Sequence, residues 1–557
     1  MATIEVDTQL LSRLMGSALE GERLEDLLFN FKGEVEGWGE GYVSVELSSD
    51  RPDLLCASGL ARAFKGYLGS ELGLPRYLAP NSTLPEHDQG VPRLRVEGWV
   101  DVRPFIDSYY VWGLKLDEAS VRDIIGFQER LHSALSRGRR RFAIGVHDVS
   151  RLKSLRLVYH AVPPNMISFT PLNEDRVMDG TEILSQTQKG REYAHLLIGS
   201  PTYPLLSTEE GEVLSMPPIL NSNLTRVDES TTRVLVDVTG PTQSVVEAIA
   251  QLVACNIAEY GGRLVRIRVE TARWTPTPHA LRTITLNVDQ VRGLLGLHLE
   301  AGEVAHLLAK ARFNARSLSS EAVEVDVPHY RLDVLHPVDL VEDVAMMYGY
   351  NNITPELPAH FSVGGYHPMS LAARAARSSL STLGFVEVNS LTLVSSRQLS
   401  QLGFTDYVRL ENPYSEELDS LRPTLILGLL EFVGRNQTKP KPLRVFEVGQ
   451  VGSVVGDVYN QRLNAAAALC DNVASADQVD AYLNRFLEDL GLSVSYTTCE
   501  APFLTRGRRA TLTIDGSVRG VVGEVAPETL RLLGIDYPVA VFELTVYTPR
   551  FEGLTFK

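Results

Sequence analysis

The stretch Arg331–Ile353, RLDVLHPVDLVEDVAMMYGYNNI, decides how this chain is read. It sets four carboxylates, Asp333, Asp339, Glu342 and Asp343, within eleven positions around an expected helix start. Asp339, Glu342 and Asp343 stand at i, i+3 and i+4, a spacing that a helix brings to one side. Asp333 precedes them on a short stretch able to fold back. Hard divalent cations such as Mg²⁺ take oxygen ligands of this kind, usually with several waters retained. A purely structural reading stands beside that one. Asp339 can cap the helix, Glu342 can complete a capping box, and acids in a first turn complement the helix dipole.

Outward from this stretch, 557 residues exceed what one core can hold, so division into about three to five domains is expected. With 44% hydrophobic and 22% charged residues, the composition permits large buried cores. No long apolar run occurs, and the start MATIEVDTQLLSRLMG lacks a basic-then-apolar leader pattern. A cytoplasmic protein without a membrane span is expected. Cys56, Cys255, Cys470 and Cys499 form no CxxC pair, which argues against a zinc site or disulfide framework and for buried thiols. The formal charge of −16 excludes a protein that lives by wrapping phosphate backbone; nucleic-acid contact must be local or shared with a basic partner.

Proline-rich breaks at Pro75–Pro92, Trp274–Pro278 and Pro355–Pro368 divide the chain into segments 1–88, 89–278, 279–357 and 358–557. In the first, Asp50 or Asp53 is a candidate cap for the helical run that ends near Gly69. In the third, RTITLNVDQVRGLLG (Arg282–Gly296) predicts a strand and a short helix, Ala301–Ala311 a second helix, and the acidic stretch a third. In the fourth, Leu371–Leu383 predicts an amphipathic helix stopped by Gly384, and Asp515-Gly516 a two-residue hairpin between Ala510–Ile514 and Ser517–Val522. Helix followed by antiparallel strands predicts a sheet with packed helices.

The ordered string R-x-D-V, H-P-x-D-L-x-E-D-V-A, Y-G-Y-N-N-I resembles the metal-associated module of the phenylalanyl-tRNA synthetase β subunit. R-P-D-L-L then G-L-A-R-A, at Arg51–Leu55 and Gly59–Ala63, looks like the N-terminal module of the same subunit. Leu421–Val451 is similar to its class II synthetase-like module. Gly138–Asp148, Lys189–Leu197, Tyr203–Val227 and Leu235–Gly240 resemble the archaeal/eukaryotic version of its editing domain. The resemblance implies a multidomain α+β fold of four parts: an N-terminal α/β module, a mixed α/β editing domain, a winged-helix-like metal-associated module, and a C-terminal class II-like antiparallel sheet with helices. It also implies an α subunit as partner in an α2β2 heterotetramer, phenylalanine tRNA as substrate, ATP and phenylalanine held mainly by the partner, and Mg²⁺ held by Asp333, Asp339, Glu342 and Asp343. Unlike the bacterial β chain, the N-terminal region is expected to carry no oligonucleotide-binding insertion, and no anticodon-binding module is expected after the sheet.

An active class II site needs one arginine for the ATP α-phosphate and another in its final glycine-rich motif, where charge develops. Arg422, Arg435 and Arg444 are available, but Gly520–Glu524 (GVVGE) carries none. Arg506, Arg508 and Arg509 precede the hairpin and are expected to face solvent or RNA. The module therefore reads as catalytically degenerate, with adenylation on the α subunit. Editing has a physical motive, because an apolar pocket cannot strongly reject a ligand that merely adds a hydroxyl. The resemblance places Leu206, Ser215, Asp237 and Thr239 in a pocket that hydrolyses tyrosine misattached to the tRNA, with Pro217 and Asn221 nearby. Asp237 and Thr239, at i and i+2 on an expected strand, share a face and are the candidate catalytic pair. No role is transferred to His147, His160 or His195. The basic cluster of Arg137, Arg139, Arg140 and Arg141 is a candidate contact for tRNA phosphates, chiefly through Arg139, Arg140 and Arg141. The competing reading, a non-enzymatic nucleic-acid-binding scaffold, is opposed by the acidity and by the lack of a basic helix over Val338–Asn351.

Overall fold

The computed structural model describes residues 2–19, 21–78, 92–277, 280–357, 362–456, 458–514 and 516–548. Pro80, Pro85, Pro278, Pro358 and Asp515, used above as breaks or turn signals, lie outside them. The chain forms two compact units, Met1–Leu357 and Pro358–Lys557.

The first unit begins with an antiparallel sheet in the order Ala2–Asp7, Tyr42–Leu47, Gly33–Gly39. The helix Ala57–Tyr67 is buried along most of its length. Neither Asp50 nor Asp53 caps it: Cys56 holds the cap position without a side-chain bond. Asp53 is engaged elsewhere, accepting from Arg51 Nε at 2.8 Å and Arg62 Nη2 at 3.3 Å. Gly66 marks where this helix meets Ala301–Lys310, since a Cβ there would lie 2.1 Å from the Lys310 carbonyl oxygen. Leu60 and Phe64 join one buried apolar cluster with the helices Glu118–Ala134 and Gln243–Ala258. The N-terminal segment therefore shares its core with the middle of the unit.

Two sheets face one another in that middle part. One runs Arg263–Arg266, Phe105–Trp112, Arg233–Gly240, Ala143–Asp148, and is antiparallel throughout. The other runs Leu220–Asn221, Val213–Met216, Tyr203–Thr208, Arg156–Val162, Arg93–Glu97, Val269–Glu270. Leu94, Ile106, Tyr110, Tyr159, Leu206 and Leu235 fill the space between them. Gln243–Ala258 is apolar nearly all round because it lies between the first sheet and the N-terminal helices. The unit closes with an antiparallel sheet, Arg282–Asn287, Ala322–Val327, Asn314–Ser317, and the helices Val288–Leu295, Ala301–Lys310 and Pro337–Tyr348.

The second unit is built on seven strands in the order Val386–Glu387, Leu443–Val455, Val458–Cys470, Val539–Tyr547, Ser517–Val525, Leu504–Ile514, Ser495–Thr497. All neighbours pair antiparallel except the first two. The unbroken apolar run Ala465–Cys470 fits a strand buried on both faces. Ala465, Ala467 and Leu469 meet Pro368–Thr382 and Ala476–Leu490, while Ala466, Ala468 and Cys470 meet Ile426–Arg435. The expected helix before Gly384 starts three residues earlier than read, at Pro368, and ends at Thr382. Gly384 adopts φ +83°, as a left-handed stop requires. Ile514 pairs with Ser517, as the hairpin reading anticipates. The strand into it is longer than expected, so Arg506, Arg508 and Arg509 lie within it rather than before it. Arg508 pairs with Glu524 at 2.9 Å, and Arg509 donates to the Leu504 carbonyl at 2.9 Å. Among the described residues, no helix is long and apolar enough to cross a membrane.

Candidate functional site

The first unit holds a cavity of about 660 Å³ between the helix Glu118–Ala134, the strand Ala143–Asp148 and the segment Ser215–Val227. Apolar groups such as Ile124, Val146 and Ile219 make most of its wall. Ser215, Pro217, Asn221 and Asp237 all line it, so four of the expected residues are brought together. Ser215 is 2% exposed, and its hydroxyl has no hydrogen-bond partner. A buried donor left unmade is costly, which leaves Ser215 ready to bond a ligand in the cavity. Asn221 Nδ2 donates to the Val146 carbonyl at 3.3 Å.

Asp237 is 1% exposed on the strand Arg233–Gly240. Its Oδ1 lies 2.7 Å from Nε2 of His147, a residue the sequence reading left without a role. His147 is itself wholly buried, with Nδ1 2.9 Å from the Thr225 hydroxyl. The antiparallel register sets Gly145 opposite Asp237 and His147 opposite Leu235. His147 thus reaches Asp237 diagonally, across a position that must stay empty. A Cβ at Gly145 would fall 2.3 Å from Asp237 Oδ1 and 2.6 Å from His147 Nε2. The alternation of GVHD on a strand already places Gly145 and His147 on one face, and that is the signal that could have found them.

Two expected members lie elsewhere. Thr239 shares the face of Asp237 but does not line the cavity. Its hydroxyl accepts from Nε of Arg103 at 3.0 Å, and Arg103 also donates to the Arg139 carbonyl. Burial brings the Arg103 guanidinium down to about 10. Leu206 packs in the core between the two sheets, beside Ser215 in register but behind the wall. The basic cluster splits as well. Arg140 and Arg141 are exposed, whereas Arg139 turns inward from a left-handed backbone position at φ +62°. Arg139 donates to the carbonyls of Pro218 and Ile219 at 3.0 and 2.7 Å, pairs with Glu129 at 2.9 Å and covers the Tyr193 ring. It holds the Pro217–Ile219 turn against the cavity rather than facing solvent.

The four carboxylates of the opening stretch do not converge. Asp333 and Asp343 both pair with Arg331, at 2.6 and 2.7 Å from Nη2. Asp339 accepts from the backbone of Leu335 and His336 at the start of Pro337–Tyr348. The capping box expected between Asp339 and Glu342 is therefore shifted: Asp339 sits inside the first turn, and Glu342 instead pairs with Lys32 at 2.8 Å. Among the described residues no three His, Cys, Asp or Glu side chains gather as a metal site. Arg331, itself buried, occupies the position between Asp333 and Asp343 that a shared cation would need. As placed, the set fits an internal guanidinium and not a shared Mg²⁺, so no step is derived through an ion here. Burial works against the charge of Asp333, but Arg331 prevails and holds its carboxyl down at about 2. For Asp343, burial outweighs the same guanidinium and pushes the carboxyl up.

The second unit has a larger hollow, about 1080 Å³, and two of the arginines that line it face carboxylates. Arg409 faces Asp419 at 3.4 Å, and Arg435 faces Glu431 at 3.8 Å. Arg422 is buried, bonded to Glu447 at 2.5 Å and to the Gln450 carbonyl at 3.0 Å, and Arg444 lies over the Tyr482 ring. Of the three guanidiniums Arg422, Arg435 and Arg444, Arg422 is committed to internal partners, while Arg435 remains largely exposed at the hollow.

Three family models match the chain. They are the Phe-tRNA synthetase beta subunit B1 domain over residues 1–70, the tRNA synthetase B5 domain over 284–350, and the phenylalanyl tRNA synthetase beta chain CLM domain over 353–546. The phenylalanine–tRNA ligase beta subunit of Saccharolobus islandicus strain M.14.25 is 35% identical over 532 residues, 94% of each chain. That of Saccharolobus solfataricus strain P2 is 33% identical over 553 residues, 98% of each. A solved N-terminal fragment of the phenylalanyl-tRNA synthetase β subunit from Pyrococcus horikoshii is 35% identical with a TM-score of 0.57, covering 63% of this chain and all of that one.

Proposed function

The chain belongs to the phenylalanine–tRNA ligase β-subunit family, and on that premise we propose that its own chemistry is the hydrolysis of tyrosine misattached to phenylalanine tRNA. It is the β component of an aminoacyl-tRNA synthetase, which implies an α-subunit partner. We place phenylalanyl-adenylate formation on that partner, in an α2β2 assembly that binds ATP, phenylalanine and Mg²⁺. The locked state of Arg422 and the absence of arginine from GVVGE support this division.

One observation carries the editing reading: the wall of a largely apolar cavity holds the unpartnered, buried Ser215 hydroxyl and the buried Asp237 carboxylate. A tRNA is far too large to enter, so the ester stays at the mouth and the amino-acid side chain reaches inward. Asp237 then accepts the phenolic hydrogen of tyrosine while Ser215 donates to its oxygen. Phenylalanine entering the same cavity would leave the Ser215 hydroxyl unpaired and Asp237 with His147 alone, a penalty of the kind by which polar sites reject analogues that lack a hydroxyl. Water attacks the ester carbonyl; the bond to the ribose oxygen breaks, and the proton ends on the ribose hydroxyl. Arg140 and Arg141, exposed beside the inward-turned Arg139, are assigned to acceptor-end phosphates.

The test uses the complete α–β assembly supplied with tyrosine, ATP and phenylalanine tRNA. With Asp237→Ala, tyrosyl-tRNA should accumulate while phenylalanylation proceeds at its usual rate. Unchanged clearance of tyrosyl-tRNA would refute the assignment of the cavity.

A further inference from the structure

We propose that His147 is the positioning residue that makes Asp237 selective for a hydroxyl-bearing side chain, by giving one of its carboxylate oxygens a single N–H and leaving the other to the ligand. The inference rests on the editing reading above and deepens it.

Asp237 is almost fully enclosed, and a buried carboxylate needs compensation for its lost hydration. Among the described residues it has one close ion-pair partner, His147 Nε2 at 2.7 Å, and no guanidinium or ammonium within pairing distance. The bond requires a proton on Nε2, because an Nε2 lone pair facing a carboxylate would be repulsive. The other ring nitrogen is held as well: Nδ1 lies 2.9 Å from the Thr225 hydroxyl, which in turn reaches the Leu214 and Ser222 carbonyls at 3.4 Å. Thr225 thereby fixes the ring orientation that aims Nε2 at Asp237.

This arrangement has a chemical consequence. An arginine could give a carboxylate two parallel bonds and saturate it. One imidazole N–H orients Asp237 through Oδ1 and leaves acceptor capacity directed to the cavity that both Asp237 and Thr225 line. The under-coordinated carboxylate favours a ligand that brings a hydroxyl. Gly145 belongs to the same device, because any Cβ there would intrude between the two side chains.

The experiment measures hydrolysis of preformed tyrosyl- and phenylalanyl-tRNA by the full assembly and reads the ratio of kcat/KM for the two substrates. Asp237→Ala runs alongside. His147→Phe and Gly145→Ala should each lower the ratio by about tenfold or more, by slowing tyrosyl-tRNA hydrolysis. His147→Gln keeps an N–H donor for Asp237 and should retain most of it. Thermal midpoints are recorded for every variant, since a merely structural role would move stability and both substrates together. A ratio unchanged in His147→Phe and Gly145→Ala, while Asp237→Ala abolishes clearance, would overturn the role of His147 and leave the pocket standing. Equal loss in His147→Gln and His147→Phe at wild-type stability would overturn the donor role. Unchanged clearance in Asp237→Ala would instead overturn the reading beneath it.

Discussion

Asp343 and Asp237 are both buried carboxylates, and their partners give them opposite fates. Asp343 faces a guanidinium that takes both of its oxygens, Arg331 Nη1 at 3.0 Å and Nη2 at 2.7 Å. Asp237 faces an imidazole that takes one. The first is closed to ligands and ties the Pro337–Tyr348 helix to Arg331. The second stands in the wall of a cavity that also holds a hydroxyl that bonds nothing. Burial alone therefore does not mark a functional acid; the number of donors its neighbours supply does.

The contrast breaks most visibly at Arg331. Arg331→Met strands Asp333 and Asp343 without their shared cation, and should cost about 3–5 kcal/mol in urea unfolding. A loss below about 1 kcal/mol would mean the pair is not what holds this region. The next effect is one of pH. Asp333, mostly buried, has its carboxyl lowered from 3.8 to about 2, so its pairing is fully stabilising above about pH 4 and is lost as pH falls towards 2. The shift corresponds to about 2 kcal/mol. Asp343 is shifted upward and opposes this trend, so the measurement is the difference in stability between wild type and Asp333→Asn across pH 2–6. A difference that does not shrink on acidification would contradict the assignment. The smallest effect sharpens the other side. Ser215→Ala removes a hydroxyl that bonds no other protein group, so unfolding stability should hold within about 0.5 kcal/mol. Tyrosyl-tRNA hydrolysis should still slow about tenfold, the worth of one ligand hydrogen bond.

Much of this molecule is legible along the chain. The strings at Arg51–Ala63, Arg331–Ile353 and Leu421–Val451 are local, and periodicity around Leu371–Leu383 marks its helix. The features that stay hidden depend on distant partners and on depth. Arg331 stands inside the quoted stretch, yet spacing cannot say that the cation its acids meet is their own neighbour. An i, i+2 spacing gives Asp237 and Thr239 a common face but not a common depth, and Arg103, far away in sequence, claims Thr239. His147 and Asp237 are 90 positions apart, joined only by strand register and by the gap at Gly145. Arg139 reads as one of four surface arginines until its backbone turns it inward.

The most direct test of the account is single-turnover hydrolysis of tyrosyl-tRNA by the α–β assembly, wild type against Asp237→Ala. The account predicts a rate lower by about 100-fold, with phenylalanyl-adenylate formation unchanged. Equal hydrolysis rates in the two proteins would contradict it.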